Sequence, residues 1–176
     1  MYQKIIVPLD GSKLAECALL HAENLATDMD SQEIILVSVT ESIKVTETVT
    51  DIRIPMESIS FATIGSDVPS PDILKEESKL TNVMGRMDSQ ARNYLNRISG
   101  ELKVKNLNVK TQVLIGNPAN EIVAYADSNA CDLIIMASHG RSGPSRWALG
   151  SVTDKVFRSS CVPVLMVRGP GCILGV

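Results

Sequence analysis

Two segments in the second half of the chain carry the residue types that hold phosphate groups. The first, residues 136–143, contains Gly140, and the second runs from Gly150 through Ser151 to Thr153. Glycines let a backbone approach a ligand closely, hydroxyl groups donate hydrogen bonds, and the start of a helix favours anions. Together the segments predict a phosphate-binding site. It is not of the Walker type, because no glycine precedes a Lys-Ser or Lys-Thr pair.

Strands that alternate with helices must position these segments. Apolar residues at helical spacing predict helices after the first strand, over residues 70–98, after Asn117 and Pro118, and over about 145–159. Right-handed crossovers then favour one doubly wound, five-stranded parallel α/β sheet with helices on both faces. The five short apolar runs that predict its strands are residues 4–9, 33–40, 107–115, 132–137 and 162–168.

The segments that directly follow strands are the candidate site. A parallel sheet binds ligands beyond the carboxyl ends of its strands, where the strand order reverses. Asp10 follows the first strand and should therefore lie near the phosphate-binding segments, although it could also cap the next helix. The candidate segments are residues 10–12, 39–41, 116–117 and 137–143.

Composition and charge exclude several classes of partner. The 176 residues carry a net charge of −3 and 3% aromatic residues, which favours neither a nucleic-acid backbone nor stacked bases. The longest apolar runs, of five and six residues, are too short to cross a membrane, and the first residues do not form a signal peptide. We expect a cytoplasmic protein with no nucleic-acid or membrane partner and no metal ligands from side chains. Its four cysteines form no CxxC pair and should be reduced and mostly buried.

Four separated motifs resemble the universal stress protein family. They are residues 4–12 (KIIVPLDGS), 115–118 (IGNP), 136–156 with nine residues between Gly140 and Gly150, and 161–168 (CVPVLMVR). The resemblance implies an adenine nucleotide alpha hydrolase-like fold with strand order 3-2-1-4-5. The domain would span residues 1–170, with an insertion at 41–69 that is functional or disordered, followed by a short tail at 171–176.

The resemblance also implies an adenine nucleotide as ligand: ATP, or AMP or ADP, with Mg²⁺ carried by the nucleotide. Asp10 would face the nucleoside, the Val39 backbone would meet the adenine, and residues 150–153 would hold the distal phosphates. Arg141 and Arg146 could screen these phosphates or be solvated surface residues. The implied nucleotide-binding residues are Pro8, Leu9, Asp10, Val39, Met136, Ala137, Gly140, Gly150, Ser151, Val152 and Thr153.

Ala137 departs from the family's ATP signature, which has a glycine at this position. If the backbone there needs a positive φ, alanine costs roughly 1 kcal/mol, and its methyl group could also crowd the ligand. If φ is ordinary, the change is mild. Ser138 and His139 suggest a nucleophile and a base, but neighbours in a turn seldom point at one another, so we expect no catalytic residue.

Two apolar surfaces could bind other proteins. The fifth strand, with Val164, Leu165, Met166 and Val167, should lie uncovered at the sheet edge. A two-fold homodimer would cover it, and the resemblance implies the same pairing. Met84 and Met87 belong to a helical stripe that we interpret as core, with a partner-binding groove as the alternative.

Three functions remain open from the sequence. The first is a stress-response regulatory module that binds an adenine nucleotide, contacts an unknown protein partner and hydrolyses ATP slowly at most, since it lacks a P-loop lysine. The second is a nucleotidyl- or phosphoryl-transfer enzyme, whose HxGH and KMSKS signatures are absent. The third is a nucleotide-free family member that acts only through protein contacts, which Ala137 keeps open.

Overall fold

The computed structural model describes residues 2–28, 33–41, 71–139 and 149–168, and for residues 71–84 it describes the helical backbone alone. Strands and helices alternate along these residues after the first strand, as the apolar periodicity predicts. The elements in chain order are β1 (Lys4–Pro8), α1 (Lys13–Asp28), β2 (Glu33–Thr40), α2 (Pro71–Lys103), β3 (Val109–Ile115), α3 (Pro118–Ser128), β4 (Leu133–Ala137), α4 (Ser151–Ser159) and β5 (Val164–Val167).

The strands form one parallel sheet in the order β3-β2-β1-β4-β5. In its centre, Ile5 of β1 is in register with Ile34 on one side and with Leu133 on the other. The carboxylate of Asp132 accepts hydrogen bonds of 2.9 Å from the backbone N–H groups of Gln3 and Lys4, which fixes the start of β1 beside β4. The predicted fold class and strand order are confirmed.

Alternate residues of the strands pack against helices on opposite faces of the sheet. On one face, Ile5 and Leu36 join the core that α1 and α2 cover. On the other face, Ile6 and Val37 join the core beneath α3 and α4. Both faces of each central strand are therefore apolar, as expected of a parallel sheet between two helical layers.

The turn from β3 into α3 has the predicted cap. The side chain of Asn117 accepts a hydrogen bond of 3.3 Å from the backbone N–H of Asn120, and Pro118 occupies the first helical position. Gly116 precedes this cap with a φ of +146°, a conformation that side-chain-bearing residues rarely adopt. Its N–H donates to the carbonyl of Thr40 at 3.0 Å, so the turn also fixes the end of β2.

Two local predictions were wrong. Helix α4 begins at Ser151 and not near residue 145, because Gly150 has extended backbone angles (φ −58°, ψ 143°) and serves as the N-cap. Cys161 is exposed in the turn before β5, whereas Cys131 is buried and Cys17 is partly buried. The fourth cysteine lies outside the described residues.

Residues 42–70 and 169–176 also lie outside the described residues. The insertion at 41–69, the tail at 171–176 and the domain boundaries therefore stay predictions. Among the helices described, none is long and apolar enough to span a membrane.

Candidate functional site

A cavity of about 630 Å³ opens beyond the carboxyl ends of β1, β2 and β4. It lies where the strand order reverses, and all four helices contribute residues to its wall. Every predicted nucleotide-binding residue that the structure describes lines this cavity, and the role of these residues in binding stays a prediction. They are Pro8, Leu9, Asp10, Val39, Met136, Ala137, Gly150, Ser151, Val152 and Thr153. Gly140 lies outside the described residues.

Asp10 stands in a tight turn at the end of β1. Its Oδ1 accepts hydrogen bonds from the backbone N–H of Ser12 at 2.9 Å and from the Ser12 hydroxyl at 2.6 Å. Gly11 between them has a φ of +85°, which glycine adopts without strain. The residue that caps α1 is Ser12, whose Oγ accepts from the N–H of Ala15 at 3.1 Å. Asp10 is therefore not the cap, and its partly buried carboxylate belongs to the cavity wall.

Two hydrogen bonds join the first turn of α4 to the end of β4. The N–H of Gly150 donates to the carbonyl of Ser138 at 2.9 Å, and the hydroxyl of Thr153 donates to the carbonyl of Ala137 at 3.0 Å. A Cβ on Gly150 would lie 3.3 Å from the Ser138 carbonyl oxygen, so a side chain there has little room. A hydroxyl has one hydrogen to donate. The Thr153 hydroxyl therefore positions α4 in this structure, and its donation to a ligand stays a prediction.

The start of α4 leaves backbone donors beside the cavity. Ser151, Val152 and Thr153 occupy its first three positions, where the N–H groups have no carbonyl partner within the helix. Gly150 has no side chain to accept from them, and no side-chain cap bond forms. The backbone donors and the positive end of the helix dipole can therefore act on an anion in the cavity.

Ala137 fits its position without backbone strain. The residue is the last of β4, and among the described residues the positive φ angles of residues other than glycine occur only at Asn106 and Ala130. The alanine therefore carries no left-handed penalty, and of the two effects considered from the sequence only the volume of its methyl group remains.

Ser138 and His139 contact each other, which corrects the expectation that neighbours in this turn would point apart. The Ser138 Oγ lies 3.1 Å from the His139 Nδ1, and both residues are buried. This contact restrains the imidazole where β4 ends, and His139 lines the cavity. A serine hydroxyl bonded to an imidazole is also how a base activates a nucleophile, so the contact removes the reason given for expecting no catalytic residue, and that expectation stays a prediction.

The sequence analysis missed one wall of the cavity, which is formed by α2. Met87, Gln90, Ala91 and Tyr94 lie on one helical face and line the cavity, so the interpretation of Met87 as core was wrong. Met87 is 37% exposed, and the side chain of Met84 lies outside the described residues. The spacing of i, i+3, i+4 and i+7 was visible in the sequence, but it does not distinguish a core face from a cavity face.

Ion pairs fix the α2 wall to α1. One oxygen of Glu16 accepts from the Tyr94 hydroxyl at 3.3 Å and from Arg97 at 3.2 Å, and the other accepts from Lys13 at 2.8 Å. The ammonium of Lys13, helped by Tyr94 and Arg97, holds the pKa of Glu16 below its usual value. Burial raises the pKa of Tyr94, and the carboxylates of Glu16 and Asp10 raise it further, so the phenol stays protonated.

The charged cavity residues that the structure describes are Asp10 and Glu41, and no lysine or arginine is among them. Arg141 and Arg146, the proposed cations, lie outside this part of the chain. Within it, no three His, Cys, Asp or Glu side chains are grouped so that they could hold a metal ion. Among the described groups, the start of α4 is the one that can balance the charge of an anion in this cavity.

β5 occupies one edge of the sheet, at the opposite side from β3. Its burial alternates, with Val164 and Met166 partly buried, Leu165 37% exposed and Val167 buried. The four residues predicted at a dimer edge therefore form a short apolar edge strand. The structure contains one chain, and the pairing of this edge stays a prediction.

Comparison with known proteins places this architecture in a family. The sequence pattern of the universal stress protein family matches residues 1–64 and 65–168. Universal stress protein MJ0577 of Methanocaldococcus jannaschii is 32% identical over 168 residues, covering 96% of each protein. Its solved structure superposes with a TM-score of 0.73 at 29% identity, over 97% of this chain and 99% of that one.

Two more distant solved structures share the fold and contain adenine nucleotides. A universal stress protein in complex with cAMP has a TM-score of 0.61 at 18% identity, covering 95% of this chain and 97% of its own. A family protein of Arabidopsis thaliana with AMP bound has a TM-score of 0.57 at 13% identity, covering 96% and 93%. On the sequence pattern and the similarity to the M. jannaschii protein, the chain belongs to the universal stress protein family.

Proposed function

We propose that this protein binds an adenine nucleotide in the cavity and acts as a nucleotide-responsive regulatory module in a stress response. The observation that carries the proposal is the uncapped start of α4, whose three backbone N–H groups lie beside the Asp10 turn in one cavity. A triphosphate can accept from these N–H groups. Asp10, at the end of the neighbouring strand, can accept from the hydroxyls of a ribose.

The ligands of related folds support the same class of molecule. Two structural neighbours of this architecture have an adenine nucleotide bound, cAMP in one and AMP in the other. The donors at Ser151, Val152 and Thr153 can hold one phosphate group, and we favour ATP because the resemblance to the family's ATP signature assigns these residues to the distal phosphates. Ala137, with its ordinary φ, gives no backbone reason to prefer the nucleotide-free alternative.

Mg²⁺ would be carried mainly by the phosphates. Magnesium in nucleotide sites keeps several waters and binds phosphate oxygens, so it does not depend on a dedicated group of protein ligands. Hydrolysis should be slow at most, since the sequence has no P-loop lysine to stabilise the transferred phosphoryl group. The absence of HxGH and KMSKS signatures argues against the transferase alternative. The protein would therefore act in the cytoplasm by binding nucleotide and not by hydrolysing it. Nucleotide binding would change its contacts with a protein partner.

Calorimetry on nucleotide-free protein tests the proposal. ATP with Mg²⁺ should give a micromolar isotherm with one site per chain, and ATP with a chelator should bind about tenfold more weakly, because two carboxylates then face an uncompensated triphosphate. Heat-denatured protein should release adenine nucleotide into the supernatant if the site is filled during expression. If ATP, ADP and AMP gave no binding heat and no nucleotide were released, the proposal would fail and the nucleotide-free alternative would be supported.

A homodimer through the β5 edge belongs to the same proposal. The edge is apolar and its backbone groups face outward from the sheet, so a second copy can continue the sheet across a two-fold axis. Leu165→Lys should convert this dimer to a monomer at micromolar concentration in light scattering, because two like charges would face each other across the axis. Leu20→Lys, at an exposed leucine on α1, is the matched control and should leave the dimer intact. If the Leu165→Lys protein remained a dimer, the interface would lie on another surface.

A further inference from the structure

The wall of the cavity formed by α2 has no assigned role in the proposed site. Four residues from Met87 to Tyr94 present a thioether, an amide, a methyl group and a phenol ring to the cavity. They are one helical face, and they lie on the α1 and α2 side of the sheet, opposite the α4 donors. The wall carries no cation to attract phosphates, and its apolar and aromatic groups suit a flat ring.

Tyr94 is held by contacts at its hydroxyl and at its ring. Its hydroxyl donates to Glu16, and the Arg97 guanidinium lies 5.5 Å from the centre of its ring. Arg97 also pairs with Glu16 at 3.2 Å and with Glu101 at 2.7 Å, so the groups that hold the ring are themselves held. A ring fixed in advance loses little conformational freedom when a ligand packs on it.

We propose that Tyr94 contacts the nucleoside of the bound nucleotide and that the α2 face of Met87, Gln90, Ala91 and Tyr94 is the wall against which the nucleoside packs. This inference rests on the proposed function. The α4 donors hold the phosphates on one side of the cavity, and the nucleoside extends towards the Asp10 turn and α2. Tyr94 lies beside that turn, close enough for the charge of Asp10 to act on its hydroxyl.

Substitution at Tyr94 tests the contact. Tyr94→Leu should weaken ATP binding about five- to tenfold in calorimetry, because it removes the ring, whereas Tyr94→Phe should stay within about twofold of the wild-type protein. Tyr125→Leu is the matched control, since Tyr125 is partly buried on α3 and does not line the cavity. It should leave the affinity unchanged. Equal ATP affinity in Tyr94→Leu and the wild-type protein would overturn the inference, as would an equal loss in Tyr94→Phe and Tyr94→Leu.

A measurement on the wild-type protein covers the case in which Tyr94→Leu does not fold. The chain has three tyrosines, so tyrosine labelled with ¹³C in the ring gives a small set of signals that Tyr94→Phe assigns. Addition of ATP should shift the Tyr94 ring signals and leave those of Tyr125 in place. Bound ATP with unmoved Tyr94 signals would refute the contact and leave the proposed function standing. Absence of ATP binding in the wild-type protein would refute both.

Discussion

A Gly150→Asp protein is expected to lose ATP binding by about 100-fold or more while it keeps its fold. The new carboxylate stands at the N-cap of α4, where it accepts from the N–H groups that would otherwise meet the phosphates. It also adds a negative charge beside Asp10 in a cavity whose described residues hold no cation. The cap offsets part of the crowding that a Cβ meets at the Ser138 carbonyl oxygen, 3.3 Å away, and far-UV circular dichroism checks that the fold is kept.

Gly150→Asn is the matched control for this experiment. Asparagine has the same shape and can cap the helix equally well, but it brings no charge. Both side chains place a Cβ about 3.3 Å from the Ser138 carbonyl oxygen, so both share the same crowding. Calorimetry with ATP should therefore rank the wild-type protein above Gly150→Asn and Gly150→Asn above Gly150→Asp. Similar affinity in the wild-type protein and Gly150→Asp would show that the phosphates do not bind at the start of α4.

Gly116→Ala should destabilise the fold by about 2 kcal/mol, which is the largest effect we expect from a single methyl group in this chain. The φ of +146° is unfavourable for any L-residue with a side chain. An added Cβ would also lie 2.6 Å from Glu121 Oε1 and 3.0 Å from Glu121 Cγ. Urea unfolding followed by circular dichroism should show a lower midpoint with an unchanged slope.

A double-mutant cycle separates the two causes. Glu121→Ala removes the side chain that the new Cβ would meet, but it does not change φ at position 116. Because the end of a glutamate side chain can move away, most of the cost should persist when Gly116→Ala is made in the Glu121→Ala protein. If the cost disappears there, the clash and not the backbone angle requires glycine.

The fold could be predicted from the sequence because local periodicity and sheet topology agree. Ile5 and Ile6 pack on opposite faces of the sheet, as a strand between two helical layers requires. The start of α4 could not be predicted in the same way. Apolar periodicity continues across residues 145–150, and the end of the pattern does not reveal that Gly150 takes an extended conformation to reach the Ser138 carbonyl.

The site was predicted where residues follow strands and missed where a helix supplies the wall. Helix α2 has 33 residues and β2 has 8. At about 1.5 Å per helical residue and 3.3 Å per strand residue, the helix is about twice as long as the strand. Leu95 and Ile98 pack on the sheet, whereas Met87, on the same apolar side but earlier in the helix, lies beyond the sheet and lines the cavity. Periodicity shows which side of the helix a residue lies on, but it does not show whether that turn of the helix lies over the sheet or beyond its edge.

The central position of β1 governs when the protein can fold during its synthesis. β1 lies between β2 and β4, and its contact with Asp132 joins residues 128 and 129 positions apart. At about 5 to 20 residues per second, a ribosome takes roughly 6 to 26 seconds to make the intervening chain. One side of β1 stays unpaired for that time. A nucleotide bound as proposed could not assist early folding, because the cavity is complete only after α4 has left the ribosome.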